Sequence, residues 1–112
     1  MAGKLVSLVG PLALTNVYTT NIYVPAGATL DAIIRHLHIV NKTGGAVTFR
    51  LFLGATGANA AGTEWFFDKS VAANDVFDWY GARRVTSAIF LVGGASAATS
   101  LGIDIEGELI PA

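Results

Sequence analysis

His36 and His38 are the only imidazoles in the chain. On an extended strand, a spacing of two turns both rings to one face, where they could share a metal ion. A zinc-type centre needs at least a third protein donor. There is no other histidine and no cysteine to provide one. The pair therefore reads as strand-surface or interface histidines that titrate near neutral pH, and no metal or cofactor is expected. Nucleophilic chemistry finds less still: there is no thiol, no G-x-S-x-G elbow and no serine marked for activation by either ring. An enzyme is not expected.

The H-x-H spacing is also that of cupin metal pairs, but Lys42, Thr43 and Gly44 stand where the downstream glutamate of that pattern belongs. Asp104, Glu106 and Glu108 repeat at period two near the C-terminal end. Such a row could bind calcium, but it more simply forms the solvated face opposite a core or guards an edge against pairing. Trp65, Phe66, Phe67, Phe77, Trp79 and Tyr80 hold most of the aromatic content. Adjacent residues on a strand point to opposite faces, so about half of these rings must enter the core and the rest can anchor an interface. Stacking on sugar rings is the other use of such a set. Trp65, Phe67, Trp79 and Tyr80 are the interface candidates, joined by Arg83 and Arg84, which could pair with carboxylates of a neighbour, and by Leu5, Val6 and Leu8 near the start.

The elements that must position these residues all read as strands. Residues 4–9 are apolar apart from Lys4 and Ser7, and Gly10 and Pro11 interrupt them. Residues 17–24 are β-branched and aromatic, and Pro25-Ala26-Gly27 then turns the chain. Residues 31–42 place Ile33, Leu37 and Ile39 on one face, with Arg35 as the odd member, and Ile34, His36, His38 and Val40 on the other. After the turn at 41–45, Val47, Phe49, Leu51 and Leu53 alternate with Thr48, Arg50 and Phe52, so these two strands are expected to form a hairpin. Residues 54–62, rich in glycine and alanine, read as a surface loop. Strand signals resume at 63–69, 74–80 and 87–92. In residues 100–110, Leu101, Ile103, Ile105 and Leu109 alternate with Gly102, Asp104, Glu106 and Glu108.

About eight strands with no helical period predict an all-β fold, a single antiparallel β-sandwich that is jelly-roll-like. Residues 1–14 form an N-terminal arm or edge strand and residues 15–112 the sandwich domain. The segment at 4–9 is too short and too soon broken for a signal peptide, with no convincing cleavage site. The uncharged stretch 85–103 carries Gly93-Gly94 and several hydroxyls, and it fits strands rather than a membrane span.

Composition limits the partners. Seven basic and eight acidic residues make 13% of the chain charged, against 53% hydrophobic and a net charge of −1. No basic stripe follows a phosphate backbone, so nucleic acid is excluded as a partner. A domain of this size leaves roughly a third of its unfolded-chain surface exposed. Some outer faces must therefore be neutral and apolar, as interaction surfaces are.

Taken in order, Tyr-Val-Pro-Ala-Gly at 23–27, Ile-Val-Asn at 39–41 before Thr43-Gly44-Gly45, Ala-Gly-Thr-Glu-Trp-Phe-Phe at 61–67, Ala-Asn-Asp at 73–75 and Ile-Asp-Ile-Glu-Gly-Glu-Leu at 103–109 resemble the small β-sandwich virion proteins of tailed bacteriophages. The resemblance covers nearly the whole chain and consists of turn and strand patterns. It implies a non-enzymatic structural protein, made in the host cytoplasm and resident in the virion. The place implied is that of a capsid decoration or cement (minor capsid) protein, a trimer or other homo-oligomer on the major capsid lattice. A tail-associated protein, or a receptor- or glycan-binding module at the tail tip, is the alternative.

Overall fold

The computed structural model describes residues 5–25, 30–54 and 61–111. Eight strands follow one another: β1 (Val6–Ala13), β2 (Asn21–Tyr23), β3 (Leu30–Asn41), β4 (Val47–Gly54), β5 (Glu64–Val71), β6 (Val76–Val85), β7 (Phe90–Ala95) and β8 (Leu101–Pro111). They form two antiparallel sheets of four, in the orders β1-β8-β3-β6 and β2-β7-β4-β5. This is the strand order of an eight-stranded jelly roll. Among the described residues there is no helix, and hence none long and apolar enough to cross a membrane. Gly27 and most of the loop at 54–62 lie outside the described residues.

Alternation dictates which side chains fill the space between the sheets. Leu37 and Ile39 of β3, Phe49 and Leu51 of β4, Leu91 of β7, and Leu101, Ile103 and Ile105 of β8 are all buried there. On β8 the carboxylates Asp104, Glu106 and Glu108 take the opposite face. Leu109, in register with Ala32 near the end of the sheet, is 43% exposed, so the core stops short of it. At the side where β5 and β6 face each other, Trp65 meets Trp79 edge to face at 5.0 Å and Phe66 meets Phe77 at 5.4 Å, closing the sandwich with rings.

Three sequence expectations are corrected. β3 and β4 do not form a hairpin, because they belong to opposite sheets; β4 pairs with β5 instead. Asn41 explains the crossing. Its buried amide donates to the carbonyls of Gly45, Val71 and Ala72, and its Oδ1 accepts from the Thr43 amide and hydroxyl. That one side chain satisfies the backbone of a turn that leaves one sheet for the other.

Ile34, expected beside the histidines, points inward and is fully buried, while Ile33 is only partly so. The register between β3 and β8 shifts between Ile34 and His36, where Arg35 is an extra residue on β3. One unpaired residue resets the alternation. Adjacent isoleucines hide this in the sequence, since either one satisfies an apolar face.

The strand read at 17–24 shrinks to Asn21–Tyr23. The Thr15 and Thr20 hydroxyls lie 2.7 Å apart and each is within hydrogen-bond reach of the Val17 carbonyl, so hydroxyls turn this segment locally rather than leaving it to a ladder. At the other border, β1 is the edge strand of its sheet, and Gly10 and Pro11 lie within it at a register shift. A proline is tolerated there because a bulged edge needs no ladder donor at that point. Leu5 is 60% exposed just ahead of it.

Candidate functional site

The side chains with chemical capacity gather on the outer face of the β8-β3-β6 ladder. Strand register arranges them in two rows: His36 stands between Glu106 of β8 and Tyr80 of β6, and His38 between Asp104 of β8 and Asp78 of β6. Because the Arg35 bulge sits immediately before His36, both histidines face outward while Leu37 and Ile39 fill the core. The rings do not enter the sandwich interior.

Asp78 is where the histidines converge. His36 Nε2 and His38 Nδ1 each lie 2.7 Å from the same atom, Asp78 Oδ1, and His36 Nδ1 is 3.4 Å from Glu106 Oε1. Tyr80 stacks on His36 with the ring planes 3° apart and centroids 4.4 Å apart, which fixes the orientation of the imidazole. The side chains of His36, His38 and Asp78 remain 24%, 35% and 29% exposed, so an ion can reach them from solvent. Partial burial pulls the His36 imidazole down, but hydrogen bonds to Asp78 and Glu106 and the charges of both outweigh it, and the ring titrates above its ordinary value. Hydrogen bonds from His38 and then His36 hold the Asp78 carboxyl below the usual carboxylate range.

Next to this cluster the surface turns apolar. Pro11, Val40, Gly102 and Ile103 line an open groove with His38 and Asp104, and the groove continues past Leu12, Ala13 and Leu101. Val40 and Val76 are cross-strand neighbours on this face, and Leu12, Val40 and Val76 are each more than a third exposed.

The other sequence candidates are dispersed. Trp65 and Trp79 pack against the core and against each other. Phe67 is exposed beneath the Arg50 guanidinium, which lies 4.2 Å above its ring. Arg83 and Arg84 fall within β6 rather than after it, and Arg84 donates to Asp31 at 2.6 Å, an intramolecular use of that charge. Leu5, Val6 and Leu8 lie at the β1 edge, far in the sheet order from β6. Tyr80, 71% exposed, is the one interface candidate that joins the histidines.

Sequence reasoning missed Asp78 and Glu106 as partners of the histidine pair. They lie 42 and 70 positions from His36, and no local spacing marks either one. The alternation of Asp78 with Tyr80 was the only available sign, and it becomes informative only once β6 is known to pair with β3. Searches of family models, curated proteins and solved structures find no match to this chain.

Proposed function

We propose that this protein is a non-enzymatic structural subunit of a phage particle, a decoration or cement protein that packs as a homo-oligomer against the major capsid lattice. The observation that carries the reading is the exposed apolar pair Val40 and Val76, cross-strand neighbours on the outer sheet face, with the groove past Pro11, Leu12, Ala13 and Gly102 beside it, in a chain with few charges. Apolar area removed from water stabilises a contact by about 25 cal/mol per Å². A flat sheet face can contribute much of the roughly 800 Å² per partner that a stable interface covers. The jelly roll is compatible, being common among capsid domains, but a fold alone does not carry a function.

The glycan-binding alternative has less support. Trp65 and Trp79 are spent on each other and on the core, one face of Tyr80 is occupied by His36, and Phe67 sits under Arg50. Flat ring faces free for a sugar are correspondingly few.

Sedimentation of the purified protein over a range of concentrations, with and without empty capsids or tails, tests the proposal. Self-association or particle binding that Val40→Asp and Val76→Asp weaken is the expected result. A strict monomer that binds neither particle overturns it.

A further inference from the structure

We propose that the outer face of the β8-β3-β6 ladder binds one divalent transition-metal ion of the zinc type, with His36, His38 and Asp78 as ligands and Glu106 of β8 behind the His36 ring, 3.4 Å from its Nδ1. The inference stands apart from the assembly reading, because it concerns one chain and needs no neighbour.

Geometry comes first. One potential donor atom from each of His36, His38 and Asp78 lies within 4.8 Å of the others. Around a tetrahedral ion with bonds of about 2.0–2.1 Å, donors stand about 3.3 Å apart. Small side-chain rotations on a rigid three-strand scaffold cover that difference. Both imidazoles already point at one carboxylate oxygen, each at 2.7 Å, so the directions along which they would donate lone pairs converge on one place. Binding replaces the N–H that each ring turns to Asp78 by a bond to the metal: a neutral ring carries its proton on the other nitrogen instead, and a protonated ring releases one proton to solvent.

Charge and ligand type agree. Asp78 and Glu106 are paired with histidine alone among the described residues; the arginines on this face are engaged elsewhere, Arg35 with Glu108 and Arg84 with Asp31. With neutral imidazoles the cluster is therefore net negative and suits a cation. Mixed imidazole and carboxylate donors select zinc, nickel, copper or iron over magnesium and calcium, which prefer oxygen alone. Tyr80 acts as a positioning residue, since its stacked ring holds the plane of His36.

The test is calorimetric titration of chelator-stripped, tag-free protein with zinc chloride near neutral pH, repeated with magnesium chloride. One zinc per chain and no magnesium binding are expected. Loss of a ligand exceeds the 10–100-fold typical of an outer-shell loss, so His38→Ala and Asp78→Asn should each weaken zinc by more than about 100-fold. Tyr80→Ala should weaken it about 10-fold by loosening His36. Cobalt replacing zinc should give the visible absorption of a tetrahedral centre, and His38→Ala should abolish it. All these positions are on the outer face of the sheet, so the metal-free variants should still unfold cooperatively, with midpoints close to the parent's, and show that the fold is intact. No zinc binding overturns the proposal, as does one-to-one binding that survives both His38→Ala and Asp78→Asn.

Discussion

On the outside of the β2-β7-β4-β5 sheet, Phe52, Phe90 and Val92 form a second buried cluster against which Tyr18 packs, and Arg50 lies over Tyr18 and Phe67 while pairing with Asp68 at 2.6 Å. On the outside of the β1-β8-β3-β6 sheet, the central outward positions are His36, His38, Asp104 and Glu106, with Asp78 and Tyr80 beside them on β6. The pairing geometry of the two sheets is the same and their contents are opposite. Segment 15–20 is held against β7, where the Gly93 amide donates to the Thr20 carbonyl and the Ala95 amide to the Thr15 carbonyl, and its Tyr18 ring packs on the outer cluster of this face. The second outer face has only side chains, and these are the ones able to exchange protons or bind an ion. The first face holds the fold together, and the second is free for chemistry and contact.

The sharpest way to break this contrast is to truncate one residue on each face. Phe52→Ala should lower unfolding free energy in urea by about 3–5 kcal/mol, the cost of emptying a buried phenylalanine site. His38→Ala should stay within about 0.5 kcal/mol, as surface changes do. If the two variants lose equal stability, the faces are not divided in this way.

Asn41→Ala probes the crossing between the sheets and should cost about 3 kcal/mol, because the Val71 carbonyl loses the amide donor in a buried setting, the Gly45 and Ala72 carbonyls each lose one of their donors, and the Thr43 amide loses its acceptor. Gly107→Ala comes next, at about 2 kcal/mol, since a methyl group there would run into the Ile33 carbonyl beside the Arg35 bulge. Gly10→Ala, with open space around it, is the matched control and should change little in the same urea experiment.

The smallest expected effect is a pH dependence of the metal-free protein whose alkaline edge belongs to the histidine face, while its acid edge is shared with Asp68, which Arg50 depresses on the other sheet. The Asp78 carboxyl is depressed on folding, so its stabilisation is present above the ordinary carboxylate value of about 3.9 and fades as pH falls through the folded value. The His36 imidazole is raised, so its stabilisation is complete below about pH 6.5 and is lost as pH rises through the folded value. Both contributions are complete between those two values. Urea melts in the presence of chelator should show this window in the parent protein and lose its alkaline edge in His36→Ala. An unchanged edge in that variant would show that another group sets it.

Much of the fold was legible in advance because alternation is a local signal. β3, β4 and β8 carry long runs in which the core residues Leu37, Ile39, Phe49, Leu51, Leu101, Ile103 and Ile105 recur every second position, and a sandwich of about eight strands follows from counting such runs. The misread points are those where local preference has no vote. Ile33 and Ile34 satisfy a strand equally well, and only the bulge at Arg35 chooses between them. The 42–46 turn has hairpin-like residues, and only Asn41, bonded to Val71 and Ala72 some 30 positions away, carries the chain to the other sheet. Thr15 and Thr20 draw a strand-like segment into a turn.

By itself the sequence determined that this is an all-β chain, which side chains lie in most of its core, and that His36 and His38 share a face, because period-two burial follows from the pleat of a single strand. It could not supply the carboxylates that meet those rings. Asp78 and Glu106 arrive through the pairing of β3 with β6 and β8, and pairing is settled by burial of the whole core at once, a non-local free energy that no short stretch of residues contains.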